Sequence, residues 1–441
     1  MAMRRTALVA AAMVFAACCT SNGPAPAPVA SAQPAAAQES PAPGEPPRVW
    51  GSLGQPSPGG VATLPTERMY VTAKDPGPWK GGLNAYIRAL SDKSCPAGTK
   101  SQAGEAITIT AKPVPLQAIN PSRTKIGNLT FVAGYSLTST DKRFGGLSGI
   151  EVLDNGNLLA VSDEGAFVWL DLAPDGLMPV RGRIAAMKGE DGQPLQGKKE
   201  GDSEGLAVNN GMALVSFERD HRVLAFDVGK CGAAARGAPI AFGKFGAPLP
   251  EAFANAGITV GENEGPEALG ITSDWYMFTG IETKINDVSP LSARPIEEAP
   301  DFKPRLGVEA PELVGIDILP EPWGGGDIRA FSLHRSFNPV AGNAITIIET
   351  DFLRYLDQSN LSRKIEGEFD ERSRYRFEET GWRELARLNL LVTVDNFEGI
   401  AAKEMPDGRV RLYVISDDNF SSSQRTLLMI FDLEKETLSK R

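Results

Sequence analysis

The stretch Asp395-Asn396-Phe397-Glu398-Gly399-Ile400-Ala401, continued by Leu412-Tyr413-Val414-Ile415-Ser416-Asp417-Asp418, decides the fold. An acidic residue precedes a glycine, and the glycine opens an apolar run. A turn at Asp407-Gly408 follows, then the β-formers from Val410 to Ile415, then two acids. β-branched and aromatic residues behind a turn signal read as a strand. Variants of this signature recur upstream in Ser148-Gly149-Ile150-Glu151, Ser203-Glu204-Gly205-Leu206-Ala207 and Pro266-Glu267-Ala268-Leu269-Gly270, with Val314-Gly315-Ile316-Asp317 a weaker copy. Residues 157–161 follow the turn Asp154-Asn155-Gly156 and end at Ser162-Asp163-Glu164. Residues 212–216 follow Asn209-Asn210-Gly211 and end at Phe217-Glu218-Arg219.

Aligned on their small residue, the copies stand at 149, 205, 268, 315 and 399, at intervals of 56, 63, 47 and 84 residues. Irregular periods of this size suit propeller blades with loops of unequal length. The strand-like residues 129–135 precede the first copy and are placed to close a ring with residues 426–433. The reading is an all-β protein, a β-propeller of about six blades over residues 127–435. The charged insertion 351–388 reads as an exposed hairpin or helix on one rim.

Working outward, 42% hydrophobic and 23% charged residues are enough for a folded core, and 46 glycines with 33 prolines favour many turns. A net charge of -10 argues against a nucleic-acid partner, which needs a basic face. It leaves room for an anionic substrate, because a cation or local arginines override net charge. The chain has two histidines, His221 and His334, so a multi-histidine metal site is excluded. GxGxxG, Walker, HExxH and CxxC patterns do not occur.

The N-terminus reads as an export segment. Arg4 and Arg5 precede an apolar run from Ala7 to Ala17, too short to span a bilayer. Phe15-Ala16-Ala17-Cys18 has the small residues before a cysteine that lipid attachment requires, with plain signal cleavage as the alternative. Residues 1–17 are therefore a signal peptide and Cys18 the lipidation site. Residues 18–64 are an Ala/Pro-rich disordered tether, and residues 65–126 a Gly/Pro-rich extension with a weakly helical stretch at 83–90. The address is the cell envelope, periplasmic, with membrane contact only through the lipid. The propeller is expected to be a monomer. Cys95 and Cys231 remain, an even pair suited to a disulfide in an oxidising compartment. Two free thiols stay open, since 136 residues of separation say nothing about spatial approach.

The strings GGLSGIE (145–151), SDEG (162–165), DSEGLAV (202–208), NEGPEALGI (263–271) and DNFEGIA (395–401), with LYVISDDNFSSSQRTLLMIFDL (412–433), resemble the family described as esterase-like activity of phytase. The resemblance covers roughly residues 127–435. It implies an exported propeller akin to calcium-dependent phytases, with hydrolase activity on a phosphate ester.

The chemistry of the residues runs parallel to that resemblance. The first strand of each blade lines a propeller's channel, so Glu204, Glu267 and Glu398 gather at one mouth, with Asp163, Glu218 and Asp417 one layer out. Crowded carboxylates need compensating cations or donors. All-oxygen ligands point to Ca²⁺ or Mg²⁺, and flexible multi-carboxylate coordination favours Ca²⁺. The alternative is that each glutamate caps a turn or pairs with Arg219 or Arg335. Those arginines are the candidate binders of a small phosphate ester, or else structural partners of Glu218, Asp220 or Glu204. Two other functions stay open: a non-catalytic binding scaffold, and a carboxylesterase using a serine with His221 or His334.

Overall fold

The computed structural model describes residues 82–240, 249–285, 287–304, 310–319, 328–356 and 375–434. The expected signal peptide, Cys18, the tether and residues 357–374 of the insertion lie outside the described residues. Among the described residues no helix is long and apolar enough to cross a membrane.

Five antiparallel sheets follow one another along the chain. Blade one runs Leu147–Val152, Leu158–Ser162, Ala166–Leu172 and Pro179–Ala186 from axis to edge. Blade two is Ser203–Asn209, Met212–Phe217, Arg222–Asp227 and Ala238–Pro239. Blade three is Ala268–Ile271, Tyr276–Gly280, Pro290–Pro295 and Lys303–Pro304. Blade four is Glu312–Ile318, Ile328–Asn338, Gly342–Leu356 and Tyr375–Leu388, so the arms of the charged insertion are this blade's own outer strands.

Blade five closes the ring. Asn396–Glu404, Val410–Asp417 and Thr426–Leu433 supply its inner strands, and Leu129–Ser139 is its fourth, pairing with Thr426–Leu433 in the register Leu428↔Tyr135 and Leu433↔Leu129. This pairing of the two ends of the domain is the one the sequence indicates, but it corrects the blade count to five. The strand at 129–139 opens no blade of its own, because it completes the last one.

The strands pack as blades because their apolar residues face the neighbouring sheets. Each of five buried clusters fills one gap between consecutive blades. Phe278 and Leu291 of blade three share one cluster with Phe352 of blade four, for example, and Phe331 of blade four shares another with Phe397 of blade five. The weakly helical stretch is a helix, Gly82–Ser94, whose Leu83, Tyr86 and Leu90 are buried in the cluster between blades two and three. After it, Cys95 and Cys231 form a disulfide with Cα atoms 5.8 Å apart. Glu105–Ile107 then adds an edge strand to blade one, and Ile109–Pro113 adds one to blade five.

The small residue of the repeat is what lets five first strands meet at one axis. A Cβ on Gly149 would lie 2.6 Å from the Glu204 carbonyl oxygen, and one on Gly205 would lie 2.7 Å from that of Glu267. The corresponding distances are 2.3 Å from Gly315 to Glu398 and 2.9 Å from Gly399 to Ser148. Each contact runs from one blade to the next. The axial space left at this level is about 10 Å³, room for one water molecule at most. The axis is plugged, and the mouth above it is a blind cup.

Candidate functional site

The cup holds about 630 Å³ and is lined by nine carboxyl groups against three cationic side chains, Lys198, Arg219 and Arg335. Blade register explains how they arrive there. The residue just before the small one sits at a β-bulge in four blades, where pairing shifts around Ser148, Glu204, Val314 and Glu398. A bulge leaves its residue out of the ladder and re-aims the side chain. Together with Glu267, just ahead of Ala268–Ile271, these five positions form a ring at the top of the axis.

The second ring comes from the second strands. Gly149 pairs with Val161, Ala268 with Gly280, Gly315 with Leu333 and Gly399 with Ile415. Two residues beyond each partner stand Asp163, Glu282, Arg335 and Asp417, and Glu218 holds the same place beyond Ser216, whose Oγ accepts from the Gly205 N–H. Asp163, Glu218 and Asp417 therefore line the cup with Glu204, Glu267 and Glu398. Sequence reading missed Glu282, which stands alone after Gly280-Ile281 rather than in an acidic cluster. Register counting from Ala268 finds it.

Asp202, also missed, has a further role. Its carboxylate, with those of Glu204 and Glu218, offers oxygens that all lie within 4.8 Å of one another. Three hard oxygen donors that close suit Ca²⁺ or Mg²⁺. The visible signal was the Asp202-Ser203-Glu204 spacing, which puts both acids on one strand entry, but the approach of Glu218 depends on the fold.

The cations are already engaged. Arg335 takes the acid's place in the second ring and bridges blades: it bonds Glu398, reaches Glu282 at 3.0 Å and donates to Asn396 Oδ1 at 2.7 Å. Asn396 Nδ2 in turn donates to Glu398 Oε1 at 2.8 Å. Arg219 pairs through Nε with Asp202 at 2.5 Å and is held at φ 50°. Lys198 bonds Asp163 at 2.7 Å and Asp202 at 3.4 Å.

Three cations do not balance nine acids. Burial, then the charges of Glu398 and Glu218, push Glu204 well above the usual carboxylate range. Burial and Glu204 do the same to Glu267. Burial also raises Glu398, with Arg335 opposing, and raises Asp163, with Lys198 opposing. Asp417 is pushed up to about 8 by burial and the neighbouring Glu398. Carboxyl groups driven this way take up either protons or a cation.

The histidines are placed elsewhere. His334 Nε2 lies 3.0 Å from Ser332 Oγ, with Nδ1 3.1 Å from the Pro311 carbonyl oxygen, but both side chains are fully buried and neither lines the cup. Burial lowers His334 to about 4. His221 Nε2 meets the Gly261 carbonyl at 3.1 Å. A serine esterase reading thus finds a Ser–His pair with no access to substrate.

The fold and the cup define a five-bladed propeller with a carboxylate-lined axial mouth. The chain belongs to the phytase-like family, described as esterase-like activity of phytase, whose model matches residues 142–420. Comparison with curated proteins gives no match. Among solved structures, the chain is similar to a gluconolactonase from Xanthomonas campestris, at 9% identity and TM-score 0.34, covering 75% of this chain and 98% of that one. It is similar also to the PQQ-bound aldose sugar dehydrogenase of Streptomyces coelicolor, at 10% identity and TM-score 0.32, covering 75% and 100%. At such identities and scores these likenesses do not bear on the chemistry of this chain.

Proposed function

We propose that the chain is an exported, divalent-cation-dependent phosphoric ester hydrolase acting on a small anionic phosphate ester, with Ca²⁺ the cation that fits best. The observation that carries this reading is the Asp202–Glu204–Glu218 triad inside a cup where acids outnumber cations three to one. The donor set is all oxygen, which selects a hard cation. Membership of a phytase-like family supports the choice of phosphate ester, and the disulfide supports an oxidising compartment.

Asp202, Glu204 and Glu218 would hold the cation. Bound there, it would neutralise phosphoryl oxygens and polarise an attacking water. The other roles fall to the chain's own residues. Arg219, engaged through Nε alone in its ion pair, has further N–H groups to offer a phosphoryl oxygen. Arg335 offsets Glu398 and Glu282 and so keeps the rings together. Glu267 and Glu398 face the cup and are the candidate bases for the water's proton. Asp417, pushed up to about 8 by burial and Glu398, is the candidate acid for the leaving oxygen.

The test is a turnover screen of phosphomonoesters, phytate and short acyl esters, with Ca²⁺ and with chelator. Phosphate release that requires Ca²⁺ and falls at least a hundredfold in Asp202→Asn supports the proposal. Turnover of acyl esters alone, or of nothing, overturns it in favour of an esterase or a binding scaffold.

A further inference from the structure

Below the plugged level of the axis lies a second pair of acids that the cup does not use. Glu151 and Asp317 stand two residues after Gly149 and Gly315, on the first strands of blades one and four. Both are buried, at 8% and 5% exposed. The equivalent positions in the other blades are Ala207, Gly270 and Ala401, whose small size leaves room for two carboxyl groups to meet across the axis.

They do meet. Asp317 and Glu151 are hydrogen-bonded to each other. Asp317 Oδ1 accepts from the Ile318 N–H at 2.6 Å and Oδ2 from the Ala402 N–H at 2.6 Å. Glu151 accepts from the backbone N–H groups of Val152 and Val208. Two carboxyl groups in hydrogen-bond contact need a proton between them. Each acid accepts two backbone N–H groups, but the contact raises Glu151 and lowers Asp317, so the proton belongs to Glu151, which donates it to the Asp317 carboxylate.

We propose that Glu151 and Asp317 hold one proton between them on the propeller axis, forming an alkali-sensitive pin that ties four of the five blades together. The blades are one and four through the acids, two through Val208 and five through Ala402. Among the described residues, the strands packed against the pair place no other charge beside it. On the paired strands the residues opposite are Leu159 and Phe331. On the neighbouring first strands they are Ala207, Gly270 and Ala401. Glu204 and Glu398 belong to the level above, and Lys403 and Glu404 lie further along their strand, partly exposed and exposed. Burial raises both carboxyls; the charge of Asp317 raises Glu151 further, while the hydrogen bond from Glu151 lowers Asp317.

The unfolded chain releases this proton in the ordinary carboxylate range, while the folded chain keeps it to higher pH. Its contribution is therefore present at acid pH and is lost as pH rises. Glu151→Gln retains a donor toward Asp317 and an acceptor for the backbone, and removes the titration. Wild type and Glu151→Gln are to be unfolded by denaturant at intervals from pH 5 to pH 9. The expected result is an unfolding constant for wild type that rises, relative to the variant, by up to about tenfold per pH unit until the pair ionises. Titration of the cup is common to both proteins and cancels. A ratio that stays flat across the range overturns the proposal. Should Glu151→Gln fail to fold, the side-chain carboxyl ¹³C resonance of wild type assigned to Glu151 through its own backbone decides it: Glu151 still protonated at pH 7 supports the pin, and Glu151 ionised at pH 7 refutes it.

Discussion

Replacing Gly315 by alanine probes the ring at its tightest point and links fold to site in one substitution. The new Cβ would lie 2.3 Å from the Glu398 carbonyl oxygen, where ordinary contact begins at 3.4 Å. The overlap is about 1 Å, well inside the repulsive wall. Both partners are backbone of first strands in a closed ring, so neither side can swing away as a flexible side chain would. Overpacking of this kind costs ~1–3 kcal/mol, and the rigid setting puts Gly315→Ala near the upper end, about 3 kcal/mol. The assay is equilibrium denaturation, read as a lower midpoint at unchanged slope. Gly381→Ala is the control, because nothing lies within 4 Å of a Cβ there. A Gly315 variant as stable as the Gly381 variant would refute the argument that close approach of first strands dictates the small residue. Because the displaced carbonyl belongs to Glu398, a candidate base, the same variant should also lower phosphate-ester turnover.

Three other outcomes follow from the same geometry. Arg335→Met strands Glu398 and Glu282 without their cation and should cost about 2–3 kcal/mol in denaturant unfolding. Glu398→Gln in the same chain should return part of that loss, as a double-mutant cycle would record. Serine at Cys95 and Cys231 opens a loop closed across 136 residues, and thermal or denaturant unfolding should register a loss of about 3–5 kcal/mol. Asp417 carries a proton when folded up to about pH 8 that the unfolded chain has lost, so cation-free stability should fall as pH rises from about 4 toward 8. Asp417→Asn should remove that part of the slope, and a pH–stability curve identical to wild type would contradict the assignment.

The repeat was legible in the sequence because the axis imposes it: a small residue where strands crowd, in three copies an acid just before it, and β-formers after. The blade count was not. Residues 129–139 look like a strand, and only their pairing with residues 426–433 shows that they complete the last blade rather than start one. Asp163, Glu218 and Asp417 could be found because each ends a visible β-run. Glu282 could be found only through the pairing of Ala268 with Gly280. Asp202 and the arginines' partners depend on which blades stand side by side, and no spacing along the chain encodes that. Glu151 and Asp317 are printed in the repeat itself, as Gly-Ile-Glu and Gly-Ile-Asp, yet their meeting requires the ring to be closed.

The most direct test of the central claim is the melting temperature of the whole chain as free Ca²⁺ is raised from chelated to millimolar levels. A cation held by Asp202, Glu204 and Glu218 stabilises the folded state by mass action, about 2.7 kcal/mol at a hundred times its dissociation constant. The account predicts a wild-type melting temperature that climbs with the logarithm of free Ca²⁺. It also predicts a Glu204→Gln variant at least as stable without Ca²⁺ and indifferent to its addition. A wild-type melting temperature that ignores both Ca²⁺ and chelator would contradict the account and leave the carboxylates as turn caps and arginine partners.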